Sequence, residues 1–180
     1  MIGHIYVWRA LPGDGAFAWF QKFLTGVAYR HTSGGVGNLF GTGEWQFEMI
    51  LCGATTPLDS SNPKVCREFK INAPDNVVKS CVINCMVQNA GKTYGFLSLL
   101  NYVPRRLVEL VGFNGRKVAP IHIGNVCSSS WLEDCLVPLA HLMGWNDLTA
   151  KIGEWNRNVF HSGDMVNLLV SFPQYFTEIG

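Results

Sequence analysis

Residues 29–51 read YRHTSGGVGNLFGTGEWQFEMIL, and the order of signals within them decides what the fold can be. Tyr29-Arg30-His31-Thr32 leads into a glycine-rich run from Ser33 to Gly43. From Glu44 to Leu51 the residues alternate, with Gln46, Glu48 and Ile50 on one face and Trp45, Phe47, Met49 and Leu51 on the other. This predicts a strand paired back through the Gly41-Thr42-Gly43 turn. Upstream, Ala16, Trp19, Phe20, Phe23, Leu24 and Val27 recur at helical spacing and predict an amphipathic helix over 16–28. Asp14, in the turn Leu11-Pro12-Gly13-Asp14-Gly15, is the candidate cap of that helix. A phosphate-binding loop needs a strand before its glycines and a helix after them, so that the helix N-terminus meets the anion. Here the helix comes first and the strand follows. The context therefore excludes a nucleotide loop and leaves a hairpin or a close backbone approach.

Working outward, Ile2–Arg9 and Val65–Ile71 carry the aromatic and β-branched residues of strands, and Thr55–Pro63 reads as a polar loop. Helices are predicted over 76–88, 94–102, 107–110 and 164–170, the last capped by Asp164. Ile121-His122-Ile123-Gly124 is short and extended. The run CSSSWLEDCLVPLAHLMG from Cys127 places Trp131, Cys135, Leu136 and Leu139 on a helical period. Pro138 lies inside it and is expected to kink or break the helix, since forcing it straight costs roughly 3 kcal/mol. Gly144 suits the position past the helix end.

Apolar residues make up 48% of the 180-residue chain and charged residues only 15%, which excludes a disordered tail or a coiled coil. A formal net charge of +1 excludes whole-chain charge as the basis of nucleic-acid or anionic-membrane binding. So little charge points instead to a lodging in a larger assembly. The apolar windows are broken by Lys79, Asn84, Asn101 and Arg105, so no membrane span is expected. Met1–Tyr6 lacks a basic segment and a long apolar core, so the expectation is synthesis in the cytoplasm without a secretory leader. The six cysteines then read as free thiols rather than disulfides.

Cys81 and Cys85 share a helix face and, with His122, invite a metal reading. No fourth ligand is placed by spacing, and buried thiols are the better assignment. Cys127 differs: it follows a Gly-Asn-Val turn and opens a helix. A thiol there feels the positive end of the helix dipole, which favours the nucleophilic thiolate. Free N–H groups of the first turn offer an oxyanion site. Among five histidines, His141 lies about 20 Å along the same helix at ~1.5 Å per residue, His4 sits in a strand, and His122 and His161 fall in loops. His31 opens a strand beside another carrying Glu44 and Glu48, either of which is placed to orient an imidazole.

The order of these features resembles the circularly permuted papain-like cysteine hydrolases, the permuted branch of the NlpC-type cell-wall peptidase superfamily, which includes YiiX-type proteins and lecithin–retinol acyltransferase relatives. The resemblance rests on Ala18-Trp19-Phe20, Tyr29-Arg30-His31, the strand with Glu48, Gly91-Lys92-Thr93-Tyr94-Gly95-Phe96-Leu97-Ser98-Leu99-Leu100 and Cys127-Ser128-Ser129-Ser130-Trp131, and spans roughly residues 14–144. It implies one α+β domain over 1–180, with an antiparallel sheet packed against helices that include the nucleophile helix. It implies Cys127 as nucleophile, His31 as general base and Glu48 as the residue orienting His31, with Glu44 as the alternative and Tyr94 at a family tyrosine position. No cofactor or metal is implied. The implied activity is cleavage or transfer of amide or ester acyl groups, with peptidoglycan stem peptides as the suspected substrate. Two other expectations stand beside it: a virion or tail component with a degenerate site on the same fold, and an acyltransferase or hydrolase acting on lipid esters.

Overall fold

The computed structural model describes residues 2–11, 13–38, 43–49, 53–58, 65–92, 96–119 and 127–179, without the side chains of 17, 18, 30, 49, 65, 66, 96–98 and 127. Tyr94, His122 and the predicted extended segment 121–124 lie outside the described residues. Among the described residues six strands form one antiparallel sheet: β1 (His4–Arg9), β2 (Tyr29–Gly37), β3 (Trp45–Met49), β4 (Gly53–Pro57), β5 (Val65–Ile71) and β6 (Phe176–Glu178). Their spatial order is β4-β3-β2-β1-β5-β6. Six α-helices are described: α1 (Gly15–Thr25), α2 (Asp75–Asn89), α3 (Tyr102–Leu110), α4 (127–143), α5 (Asn146–Ile152) and α6 (Ser162–Ser171). The architecture is α+β with an antiparallel sheet.

Part of the expected polar loop from Thr55 is a strand. The β-branched Thr55 and Thr56 pair with Phe47 and Gln46, which makes β4 the edge of the sheet. The sheet has two unlike faces. Ile5, Val7, Val36, Phe47 and Phe69 form an apolar face in one cluster with residues of α2, α4 and α6. The opposite face carries Tyr6, Trp8, Ser33, Gln46 and Glu48, whose positions alternate with the first set.

Gly34 of β2 serves close approach, one of the two readings the sequence offered for the glycine run. A Cβ on Gly34 would fall 2.0 Å from the Trp131 ring, which α4 presses onto the strand. Gly34→Ala is therefore expected to destabilise the fold by about 2–3 kcal/mol through overpacking. Urea unfolding measures this, and Trp131→Leu in the same chain should recover part of the loss.

Pro138 does not break its helix. Cys127–Trp131 passes through one π-helical stretch, Leu132–Leu136, into Val137–Met143, and this continuous run is α4. The Val137 N–H reaches back to the Leu132 carbonyl, the wider ring of a π turn. Proline has no N–H for the Asp134 carbonyl four residues back, and Asn84 of α2 donates to that carbonyl instead at 3.2 Å. An outside donor thus fills the gap that proline leaves.

Two local expectations are corrected, and the direction of the α1 stripe is settled. Asp14 stands at the N-cap position of α1 but makes no capping bond; its Oδ2 accepts the Leu11 N–H at 2.8 Å and closes the preceding turn. The cap of α6 is His161, whose Nδ1 accepts the N–H groups of Gly163 and Asp164, while Asp164 reaches back to the His161 N–H as the other half of a capping box. On α1, Trp19, Phe20 and Phe23 face solvent rather than the core, and only Leu24 of the predicted stripe is fully buried among the described side chains, in a small cluster with Leu99 and Tyr102.

Candidate active site

His31 is the third residue of β2 and pairs with Trp8 of β1. Gly34 pairs with Phe47 across the β2–β3 ladder, so Glu48 is a diagonal neighbour of His31 on the same face. Their side chains meet: His31 Nε2 lies 3.0 Å from Glu48 Oε2, with 17% and 9% of the two side chains exposed. Thr56 of β4 donates to the other carboxylate oxygen, Oε1, at 2.5 Å. Three strands thus contribute one residue each to a His31–Glu48–Thr56 chain. A Glu48 that accepts Nε2–H fixes the tautomer in which Nδ1 is free to take a proton.

Glu44 does not share this place. It precedes Trp45, which pairs with Gly37, six residues along β2 from His31. At ~3.3 Å per residue that is about 20 Å away, at the far end of the ladder.

A second line of polar side chains runs beside the first. Trp8 Nε1 donates to Ser33 Oγ at 2.8 Å, and Ser33 donates to Gln46 Oε1 at 2.6 Å. Farther along the same face, His4 Nδ1 is 2.6 Å from Glu68 Oε1, a second imidazole–carboxylate pair made by β1 and β5. Sequence reasoning missed it because Glu68 becomes the neighbour of His4 only through a pairing across 64 residues.

Cys127 opens α4, as expected; its side chain is outside the description. The residue after it, Ser128, lies 3.4 Å from Thr32 Oγ1 and 3.1 Å from Ser162 Oγ, and Thr32 also reaches Ser162 at 3.1 Å. These three buried hydroxyls lock the first turn of α4 to β2 and to the start of α6. The start of α4 therefore lies beside the residue that follows His31. Alternation along β2, however, turns Thr32 and Gly34 to the helical face and His31 and Ser33 to the other. Ser128 and Trp131 both contact the Thr32–Gly34 face. So the sequence-predicted His31 and Glu48 come together, and α4 approaches β2 from the opposite side of the sheet.

The chain matches no family model, no curated protein and no solved structure.

The other described thiols are ill suited to nucleophilic work. Cys81 and Cys85 are buried on α2, as expected, and Cys135 is buried on α4. Burial pushes the Cys85 thiol up to about 12, helped by the Asp134 carboxylate, and pushes Cys135 well above its ordinary value. A thiol held protonated is a poor nucleophile. His161 is also withdrawn from catalysis: both N–H bonds of its cap occupy Nδ1, and burial lowers its pKa to about 4. His141 sits exposed near the end of α4.

Proposed function

We propose that the protein is a cysteine-dependent hydrolase of amide or ester bonds on a permuted papain-like fold, with Cys127 as nucleophile, His31 as general base and Glu48 as the residue that orients the base. The observation that carries this reading is the His31–Glu48 hydrogen bond, braced from behind by Thr56. A partly exposed imidazole held at one nitrogen by a carboxylate is the arrangement a general base needs. The proton of the Cys127 thiol passes to His31 Nδ1, and the thiolate attacks the acyl carbonyl carbon. The N–H groups of the first turn of α4 hold the oxyanion. The tetrahedral adduct collapses, the leaving amine or alcohol takes the proton from His31, and water hydrolyses the thioester. The place of meeting is the Tyr29 end of β2, where the sheet stops two residues before His31. Peptidoglycan stem peptides are the proposed substrate class.

The specific observation that favours a second reading is the orientation of β2. Thr32, not His31, shares the face against which α4 packs. A scaffold that keeps the dyad without a working nucleophile, such as a virion component, accounts for that arrangement. Iodoacetamide alkylation of Cys127 across pH separates the two. The hydrolase reading expects a rate well above that of a free thiol at pH 6–7, and His31→Ala should lower it about 10–100-fold by losing the base. A rate equal to that of a free thiol, or one indifferent to His31→Ala, leaves the scaffold.

A further inference from the structure

Helix α1 is turned inside out for a helix packed on a core. Its polar Gln21 and Thr25 are buried, while Trp19 and Phe23 are 66% and 65% exposed. The two rings stack with centroids 5.6 Å apart across the i,i+4 spacing of the helix. The neighbouring α3 repeats the pattern: Leu107, Leu110 and Val111 follow a helical period and are exposed, and Phe113 just beyond is 70% exposed. The two helices form one lobe. Leu24 packs with Leu99 and Tyr102, and the Arg106 guanidinium lies over Gly26, where a Cβ would fall 2.6 Å from it.

Cations outnumber carboxylates on this lobe. Lys22 is the single ionisable residue of α1 and lies between Trp19 and Phe23 in the sequence. Arg106 of α3 and the exposed Lys117 a few residues after it add two further cations. The acidic neighbours are engaged: Asp14 accepts the Leu11 N–H, and Glu109 accepts from Arg105 Nε at 2.8 Å. Aromatic rings with an apolar body, flanked by long cationic side chains, suit the boundary between lipid headgroups and acyl chains. The net charge of +1 conceals this local asymmetry. No described helix is long and apolar enough to cross a membrane.

We propose that the α1–α3 face docks on the surface of an anionic lipid bilayer, with Trp19 and Phe23 seated at the acyl boundary and Lys22, Arg106 and Lys117 among the headgroups. Neither Cys127 nor His31 takes part, so this inference stands apart from the hydrolase reading. Co-sedimentation of the full chain with vesicles tests it. Binding to vesicles of phosphatidylcholine mixed with phosphatidylserine is expected to exceed binding to phosphatidylcholine alone by about tenfold or more, and to weaken in high salt. Lys22→Ala should lower it about fivefold. Trp19→Ser with Phe23→Ser should abolish it while thermal unfolding followed by circular dichroism stays unchanged, because both rings are already in solvent. Equal binding to the two vesicle types, no binding, or full binding by the serine variant overturns the proposal. So does a concentration-dependent dimer in sedimentation that the serine variant dissociates, which would assign the face to a second copy of the chain.

Discussion

Replacing Arg105 with methionine is expected to cost about 3–5 kcal/mol of folding stability, because it leaves a buried carboxylate without its cation. Arg105 is 5% exposed and Asp164 is 2% exposed. The guanidinium grips both oxygens of Asp164, through Nη1 to Oδ2 and through Nη2 to Oδ1 at 2.9 Å. Nη1 also donates to the Val159 carbonyl at 2.6 Å, and Nε donates to Glu109. The variant strands the carboxylate and that carbonyl together. Burial pushes the Asp164 carboxyl up, and the hydrogen bonds from Arg105 with the nearby His161 more than reverse it, so its pKa lies below the ordinary value. Arg105→Met with Asp164→Leu should lose less than the sum of the two single variants, since no orphan charge remains. Urea denaturation gives the numbers, and a loss under about 1 kcal/mol for Arg105→Met would contradict the buried pair. The pair matters to the candidate site because it fixes α3 to the start of α6, where Ser162 holds Ser128 and Thr32.

Folding stability is expected to fall by about 3 kcal/mol as pH drops from 6.5 to 4, through the neighbouring His161. Burial lowers the folded-state pKa of this imidazole to about 4, against the pull of the Asp164 carboxylate and with the help of the Arg105 charge. The unfolded chain binds its proton near pH 6.5. Between the two values the unfolded state holds more protons, so stability decreases as pH falls. The contribution is complete above pH 6.5 and gone below about 4. Farther down, Asp164 adds a second loss as pH falls through its own lowered pKa. Geometry gives the same answer, since Nδ1 accepts two backbone N–H groups and must stay unprotonated to do so. His161→Asn keeps a good capping acceptor and removes the titration, so its stability should vary much less between pH 7 and 4.5. A wild-type profile no steeper than that of the asparagine variant would show that His161 is not held neutral.

How much of this was legible in the sequence depends on the range of the physics involved. The period-two alternation of 44–51 is local, and it set Gln46 and Glu48 on one face and Phe47 on the other, as β3 has them. The same alternation, with His31 on the adjoining strand, was enough to anticipate a carboxylate beside His31, but Glu44 and Glu48 share a face, and the preference for Glu48 came from the family resemblance. Thr56, which braces the carboxylate, was hidden because a short β-branched pair inside a proline-containing stretch reads as a loop until β3 offers it partners. The helical period of α1 was equally visible, and α1 is a helix, but the side its apolar stripe faces was not in the period. Periodicity shows that a stripe exists and says nothing about which side the neighbours occupy.

The sequence by itself determined the α and β segments around His31, the burial of Cys81 and Cys85, and the start of a helix at Cys127, because each rests on residues within a few positions of one another. Tertiary structure alone decided that Asn84 answers Pro138, that His161 rather than Asp164 caps α6, that Trp19 and Phe23 face solvent, and that α4 meets β2 on the side of Thr32. Each of those outcomes joins groups brought together by the whole fold or turns on the handed alternation of a strand already in its sheet. Such contacts are settled by competition among distant surfaces for burial, and no local pattern records the result.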